Sequence, residues 1–317
     1  MKLGFLTACL PGVPLTKIAD WASAHEFEAL EVAVWPEAPG RPFEASHIDV
    51  ASLDAAGAER VCSYLGDRGL EISALAYYEN NLHPDQQVRS GIRAHLRSCI
   101  DAAKLLGCPY VGTFVGRDWN LTVGENLKVA NELLPSLVEY AGERGVRLIV
   151  ENCPMEGWHP DGYPGNLAYS PELWEWMFSL GFYLNYDPSH LTWLGIDPIV
   201  ALRGCPERIV HAQAKDVEIL PEARNQVGVF GKVLHRDNPW DNGWYRYRVP
   251  GLGTIDWSGI VDTLYQVGFD GVLSVEHEDP VWSGSDSRVL GGLAISHDTL
   301  RPLIRRDLKD LIPPVNE

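Results

Sequence analysis

Apolar and polar positions along the chain fall into two alternating periods. Short runs with continuous or every-second apolar side chains, at 2–8, 29–35, 70–77, 110–115, 147–152, 182–187, 209–216 and 271–279, predict strands. Between them a three-to-four-residue spacing predicts helices at 15–25, 52–68, 85–106, 125–144, 171–180, 198–204, 256–268 and 286–307. Ser170-Pro171 and Asp197-Pro198 each place a capping side chain before a proline at the first helical position. Pro135 predicts a kink in the fourth helix, because proline lacks the N–H that the helix needs there. Eight strand–helix units without a linker predict an α/β chain folded as a single (β/α)8 TIM barrel domain over residues 1–317. A doubly wound open sheet is the competitor, yet no G-x-G-x-x-G follows the first strand. Two additions to a bare barrel are expected. Residues 217–250 read as a long lid-like loop insertion after the seventh strand, and 286–317 as a C-terminal helix and tail.

A 45% hydrophobic share is ample for a barrel core. Lys plus Arg number 26 against 43 Asp plus Glu, a formal charge of −17 that opposes binding to nucleic acid and to anionic membrane surfaces. The expected partner is therefore a small molecule. Cys9, Cys62, Cys99, Cys108, Cys153 and Cys205 form no CxxC pair and read as reduced, mostly buried thiols in a cytoplasm. The opening "MKLGFLTACLPGV" is broken at Pro11, and no apolar run reaches the about 18 residues of a membrane span, so neither a signal peptide nor a span is expected.

A barrel places its chemistry at the carboxyl ends of its strands. The fifth predicted strand ends in Glu151, the sixth in Asp187, the seventh in Gln213 and the eighth in Glu276. Any one of these alone reads as a solvated loop residue or a helix cap; their coincidence on successive strands is the signal. Three carboxylates at one mouth repel unless a cation neutralises them, and hard oxygen ligands suit Mg²⁺ or Mn²⁺. In "IVHAQAKD" the side chains of His211, Gln213 and Lys215 fall at every second position and so share one face of the strand.

The segments "IVENCPMEGWHPDGYPGN", "LNYDPSHLTWLGIDP", "RIVHAQAKD", "VPGLGTIDW" and "GVLSVEHEDPVW" resemble the xylose-isomerase-like barrel superfamily, in its sugar phosphate isomerase/epimerase branch. The resemblance runs over nearly the whole chain. It implies one divalent metal held by Glu151, Asp187, Gln213 and Glu276, with Gln213 standing where many relatives carry the histidine of a His-x-Lys-Asp motif. With an oxygen-only ligand set manganese is the expected ion, and magnesium, cobalt and zinc are the alternatives. The resemblance also implies that Glu151 and Glu276 exchange a proton next to a substrate carbonyl through an enediolate. His190 would then donate to a substrate oxygen and Lys215 would steady the oxyanion.

The insertion holds Phe230, Trp240, Trp244, Tyr245 and Tyr247 among Arg236, Arg246 and Arg248, and the segment after the fifth strand adds Trp158, His159 and Tyr163. Aromatic faces of this kind stack on sugars and aglycones, so Trp158, His159, His211, Trp244 and Arg246 are expected substrate contacts. The same aromatics also fit a subunit interface, in a homo-oligomer or a hetero-oligomer. His211 reads equally as a core histidine, His277 and Cys153 as packing, and "GLG" at 251–253 as a turn. The leading expectation is a metal-dependent isomerase or epimerase of a keto sugar or 3-keto-glycoside. The alternative is a lyase that cleaves a keto-glycoside by the same proton abstraction followed by β-elimination, in one form as the catalytic subunit of a hetero-oligomer. An abasic-site endonuclease is opposed by the charge of −17. A non-catalytic barrel subunit is the binding-protein reading.

Overall fold

The computed structural model describes residues 1–36, 45–232, 234 and 241–305. Eight parallel strands close into a barrel: β1 (Lys2–Leu6), β2 (Ala29–Ala33), β3 (Glu71–Asn80), β4 (Tyr110–Phe114), β5 (Arg147–Glu151), β6 (Tyr183–Tyr186), β7 (Ile209–Ala214) and, after an antiparallel pair β8 (Asp216–Ile219) and β9 (Tyr245–Arg248), β10 (Val272–Val275). The order around the barrel is β1-β10-β7-β6-β5-β4-β3-β2. Each barrel strand is covered by helices outside and by other strands' side chains inside, which is why its sequence is an apolar run. The register brings Glu151 opposite Asn185 and Gln213 opposite Ser274, so the ends of neighbouring strands reach one rim together.

The helices follow the predicted periods closely, with caps that explain their starts. Asp54, Asp85 and Asp197 accept backbone N–H bonds at theirs, and Thr122 with Glu125 forms a capping box. Ser170 lies just before its helix, which begins at Pro171, but its side chain makes no capping bond, contrary to the expectation. The predicted helix at 125–144 is divided at Leu134 into Val123–Leu133 and Pro135–Gly142, as the missing proline N–H requires. The last helix stops at Leu300, followed by a short 3-10 turn, Arg301–Leu303. Residues 306–317 of the expected tail, together with Arg236 and Trp240 of the insertion, lie outside the described residues. Among the described residues no helix is long and apolar enough to cross a membrane.

Two expectations are corrected. The strand expected over 209–216 ends at Ala214, and Asp216 opens β8, so Lys215 sits at the junction. The insertion is no bare loop: β8 pairs antiparallel with β9, and helix Pro221–Val227 lies between them. Trp244, Tyr245 and Val217 bury against Trp193, forming a small apolar core apart from the main one. Asp216 anchors this hairpin by accepting from the N–H groups of Gly251 and Ile255 and from the indole of Trp257. A Cβ on Gly253 would lie 2.1 Å from Asp216 Oδ1, which accounts for the glycine in "GLG".

The barrel interior is polar along its axis. Ser73, His211, Asn185, Tyr78, Glu31 and Gln213 form a buried chain of hydrogen bonds that crosses from one side of the barrel to the other. Ser274 adds a bond to Glu31 at 2.8 Å. His211 roofs a cavity of about 430 Å³ at the amino-terminal end of the strands, lined also by Ser73, Lys2, Glu71 and Asp270.

Candidate functional site

At the opposite end, the carboxyl ends of β5, β6 and β10 bring Glu151, Asp187 and Glu276 together, each offering a carboxylate oxygen within 4.8 Å of the others. All three are buried. Lys215, at the end of β7, is also buried and places its ammonium 2.8 Å from Glu276, 3.2 Å from Asp187, 3.2 Å from Glu278 and 3.7 Å from Glu151. Asp187 begins helix Pro188–Leu194 and accepts from Ser189 N through Oδ1. That helix carries His190, whose Nε2 lies 3.0 Å from Glu151 Oε1 and 3.4 Å from Asp187 Oδ2.

Burial and like charge set the ionisation here. Burial pushes Glu151 up to about 7 against the pull of Lys215. Burial also raises Asp187, and burial with the charge of Glu151 raises Glu276. Burial and the nearby ammonium hold His190 down to about 3, leaving a neutral ring. Lys215 goes the other way: burial opposes its charge, but Glu276, Glu278, Asp187 and Glu151 outweigh burial and raise it.

A divalent cation suits this donor set. Gln213 Oε1 is buried without a hydrogen-bond partner, which is costly unless something positive faces it, while Asp187 Oδ2 has no bond of good geometry and only the Lys215 ammonium, 3.2 Å away, to balance its charge. Gln213 turns its amide nitrogen to Glu31 at 3.4 and 3.5 Å, so its unpartnered oxygen is the side left to ligate. The ammonium of Lys215 and a metal ion are rivals for the same carboxylates.

The residues expected at the substrate are spread more widely. His211 lies a pleat deeper than Gln213, bonded to Asn185 at 2.8 Å and Ser73 at 3.0 Å, within the core chain and above the far cavity. Trp244 is fully buried in the hairpin's own cluster, its ring edge-on to Tyr245. Arg246 pairs with Glu218 across the hairpin at 2.6 Å. Trp158 packs edge-on against Phe114 of the core, and His159 meets Tyr163, which in turn meets Phe230 of the insertion.

Three residues of the site, Glu278, Glu31 and Glu156, escaped the sequence reading, and Tyr247 entered it only as an aromatic of the insertion. Glu278 follows Glu276 by two positions in "VEHED", so alternation alone could have found it. Glu31 reaches Gln213 from the far wall of the barrel. Glu156 is buried, raised by burial, and accepts from Tyr245 at 2.6 Å through Oε1, while its Oε2 is unpartnered. Met155, held at a positive φ of 52°, makes the turn that leads into it. Tyr247 brings its hydroxyl to 3.0 Å from His190 Nδ1 and its ring to 4.8 Å from the Lys215 ammonium.

A family model described as the xylose isomerase-like TIM barrel matches residues 19–296. The uncharacterized protein YfiH of Bacillus subtilis strain 168 is 26% identical over 306 residues, 88% of this chain and 93% of that one. An inosose dehydratase of Clostridium botulinum strain Eklund 17B is 32% identical over 101 residues, 31% of each chain. Among solved structures, the IOLI protein with a bound zinc atom superposes with a TM-score of 0.67 at 19% identity, covering 96% of this chain and 99% of the other. The apo form of the Escherichia coli 3-keto-D-glucoside 4-epimerase YcjR gives 0.65 at 12% identity, covering 96% and 98%. At such identities these structures speak to the fold alone.

Proposed function

The chain belongs to the xylose isomerase-like TIM barrel family, and from that premise we propose that it is a divalent-metal-dependent isomerase or epimerase of a keto sugar or 3-keto-glycoside. The observation that carries this reading is the buried cluster at the barrel mouth, in which Glu151, Asp187 and Glu276 bring carboxylate oxygens within 4.8 Å of one another while His190 lies against Glu151 and Lys215 against Glu276. Glu151, Asp187, Gln213 and Glu276 are the residues to hold the metal, manganese first among the candidates. When bound, it polarises the substrate carbonyl and its neighbouring hydroxyl as a Lewis acid.

One glutamate takes the proton from the carbon beside the carbonyl, and the C–H electron pair moves into the carbon–carbon bond of an enediolate. The Lys215 ammonium faces the charge that develops on oxygen, and His190, 3.0 Å from Glu151 Oε1, steadies that carboxylate. The other glutamate, carrying a proton, returns it to the opposite face of the same carbon, or to the former carbonyl carbon, in which case the neighbouring hydroxyl passes its proton to the former carbonyl oxygen and becomes the new carbonyl.

Elimination is the second reading, favoured by the stretch shared with inosose dehydratase: the same electron pair would expel a β-oxygen instead of accepting a proton. Product analysis over a panel of keto sugars and 3-keto-glycosides separates the two. Inverted or relocated stereochemistry supports the first and a released alcohol or water the second; no turnover of any member by metal-loaded enzyme would sink both.

A further inference from the structure

We propose that Tyr247, carried into the site by the β8–β9 hairpin, is a positioning residue that locks His190 as the Nε2–H tautomer and aims that N–H at Glu151. The inference deepens the role given to His190 above and rests on that reading for its catalytic meaning, though not for its geometry.

The argument starts from the group with no choice. The indole Nε1 of Trp193 can only donate, and it lies 3.1 Å from the Tyr247 hydroxyl oxygen, which therefore accepts. The hydroxyl has one hydrogen of its own, and its second partner is His190 Nδ1 at 3.0 Å. If Nδ1 carried a proton, Tyr247 would accept from both neighbours and its own buried hydrogen would be left without an acceptor among them. Nδ1 is then the acceptor, and the ring's hydrogen is on Nε2, 3.0 Å from Glu151 Oε1 and 3.4 Å from Asp187 Oδ2. A donor there is what two carboxylate oxygens ask of a fully buried ring. Burial raises the Tyr247 phenol well above its ordinary range, which keeps its hydrogen in place.

The relay is built into the fold. Trp193 and His190 stand three residues apart on the helix Pro188–Leu194, on one face, and the Trp193 ring stacks on Tyr245 at 4.6 Å. The hairpin thus decides which nitrogen of His190 faces the carboxylates. With its lone pair committed to Tyr247, His190 cannot take a proton from substrate through Nε2, and proton removal is left to the glutamates.

The test is ¹⁵N NMR of full-length protein labelled at its histidines, with no substrate and no metal added, the His190 signals being assigned by their loss in His190→Gln. The expected wild-type spectrum has a proton-bearing Nε2 and a hydrogen-bonded, proton-free Nδ1. In Tyr247→Phe, Nδ1 should move toward the position of an unbonded nitrogen. Loss of one buried hydrogen bond should also raise the share of the other tautomer about tenfold. A proton on Nδ1 in the wild type would overturn the proposal without recourse to any variant, as would an unmoved Nδ1 in a folded Tyr247→Phe. The tautomer found as expected in a protein that turns over no keto sugar upholds the relay and counts against the functional reading alone.

Discussion

Replacing Lys215 with methionine keeps a long side chain but removes the ammonium that lies within 3.7 Å of Glu151, Asp187, Glu276 and Glu278. The first three carboxylates are buried, and without the ammonium nothing among their described neighbours carries a full positive charge to face them. Breaking a buried ion pair by removing one partner typically costs about 3–5 kcal/mol. Protonation of the already raised glutamates limits that cost at neutral pH, and Glu278, more than a third exposed, adds little. We therefore expect Lys215→Met, stripped with a chelator, to lose about 3 kcal/mol in urea unfolding near pH 8. A divalent ion should restore stability, since it supplies the missing charge, and the variant should bind Mn²⁺ more tightly than wild type because the rival cation is gone. Metal-free unfolding curves that coincide for variant and wild type would refute the electrostatic picture, and so would a variant that binds Mn²⁺ more weakly.

Elemental analysis should find one equivalent of divalent metal in the wild type and none in Asp187→Ala, since that carboxylate lies between Glu151 and Glu276. Gln213→His should strengthen Zn²⁺ and Co²⁺ relative to Mn²⁺ in titration calorimetry, because imidazole nitrogen suits those ions, and Gln213→Ala should weaken all three. The pH dependence follows from Glu151, whose ordinary value of 4.5 is raised to about 7. Between those values the folded metal-free protein holds a proton that the unfolded chain has released, so its stability should decline as pH rises through that window. Metal must displace the same proton, so the rise in melting temperature on adding Mn²⁺ should grow over the same interval; a constant rise would contradict the assignment.

The barrel and its rim were legible because they rest on local rules. Strand periodicity and the placement of chemistry at strand ends were enough to bring Glu151, Asp187 and Glu276 to one mouth, and alternation put Gln213 and Lys215 on the interior face. The rest depends on geometry that no period encodes. Glu156 reaches the site through a turn at Met155 with positive φ, and Tyr247 through pairing of β9 with β8. Trp244 beside arginines reads the same whether it stacks on a sugar or fills a small core, and burial in the hairpin decides for the core. His211 shares a face with Gln213, but only depth along the barrel axis separates a rim contact from the chain linking Asn185 and Ser73.

Proton abstraction beside a carbonyl leaves its mark as solvent deuterium in the product. Metal-loaded enzyme incubated in deuterated water with a 3-keto-glycoside or keto sugar that it turns over should place deuterium on the carbon next to the carbonyl. Glu151→Gln and Glu276→Gln should each slow that exchange by about 10²–10⁴. Turnover with no deuterium at that carbon in the product, or exchange undiminished in both variants, would contradict the account.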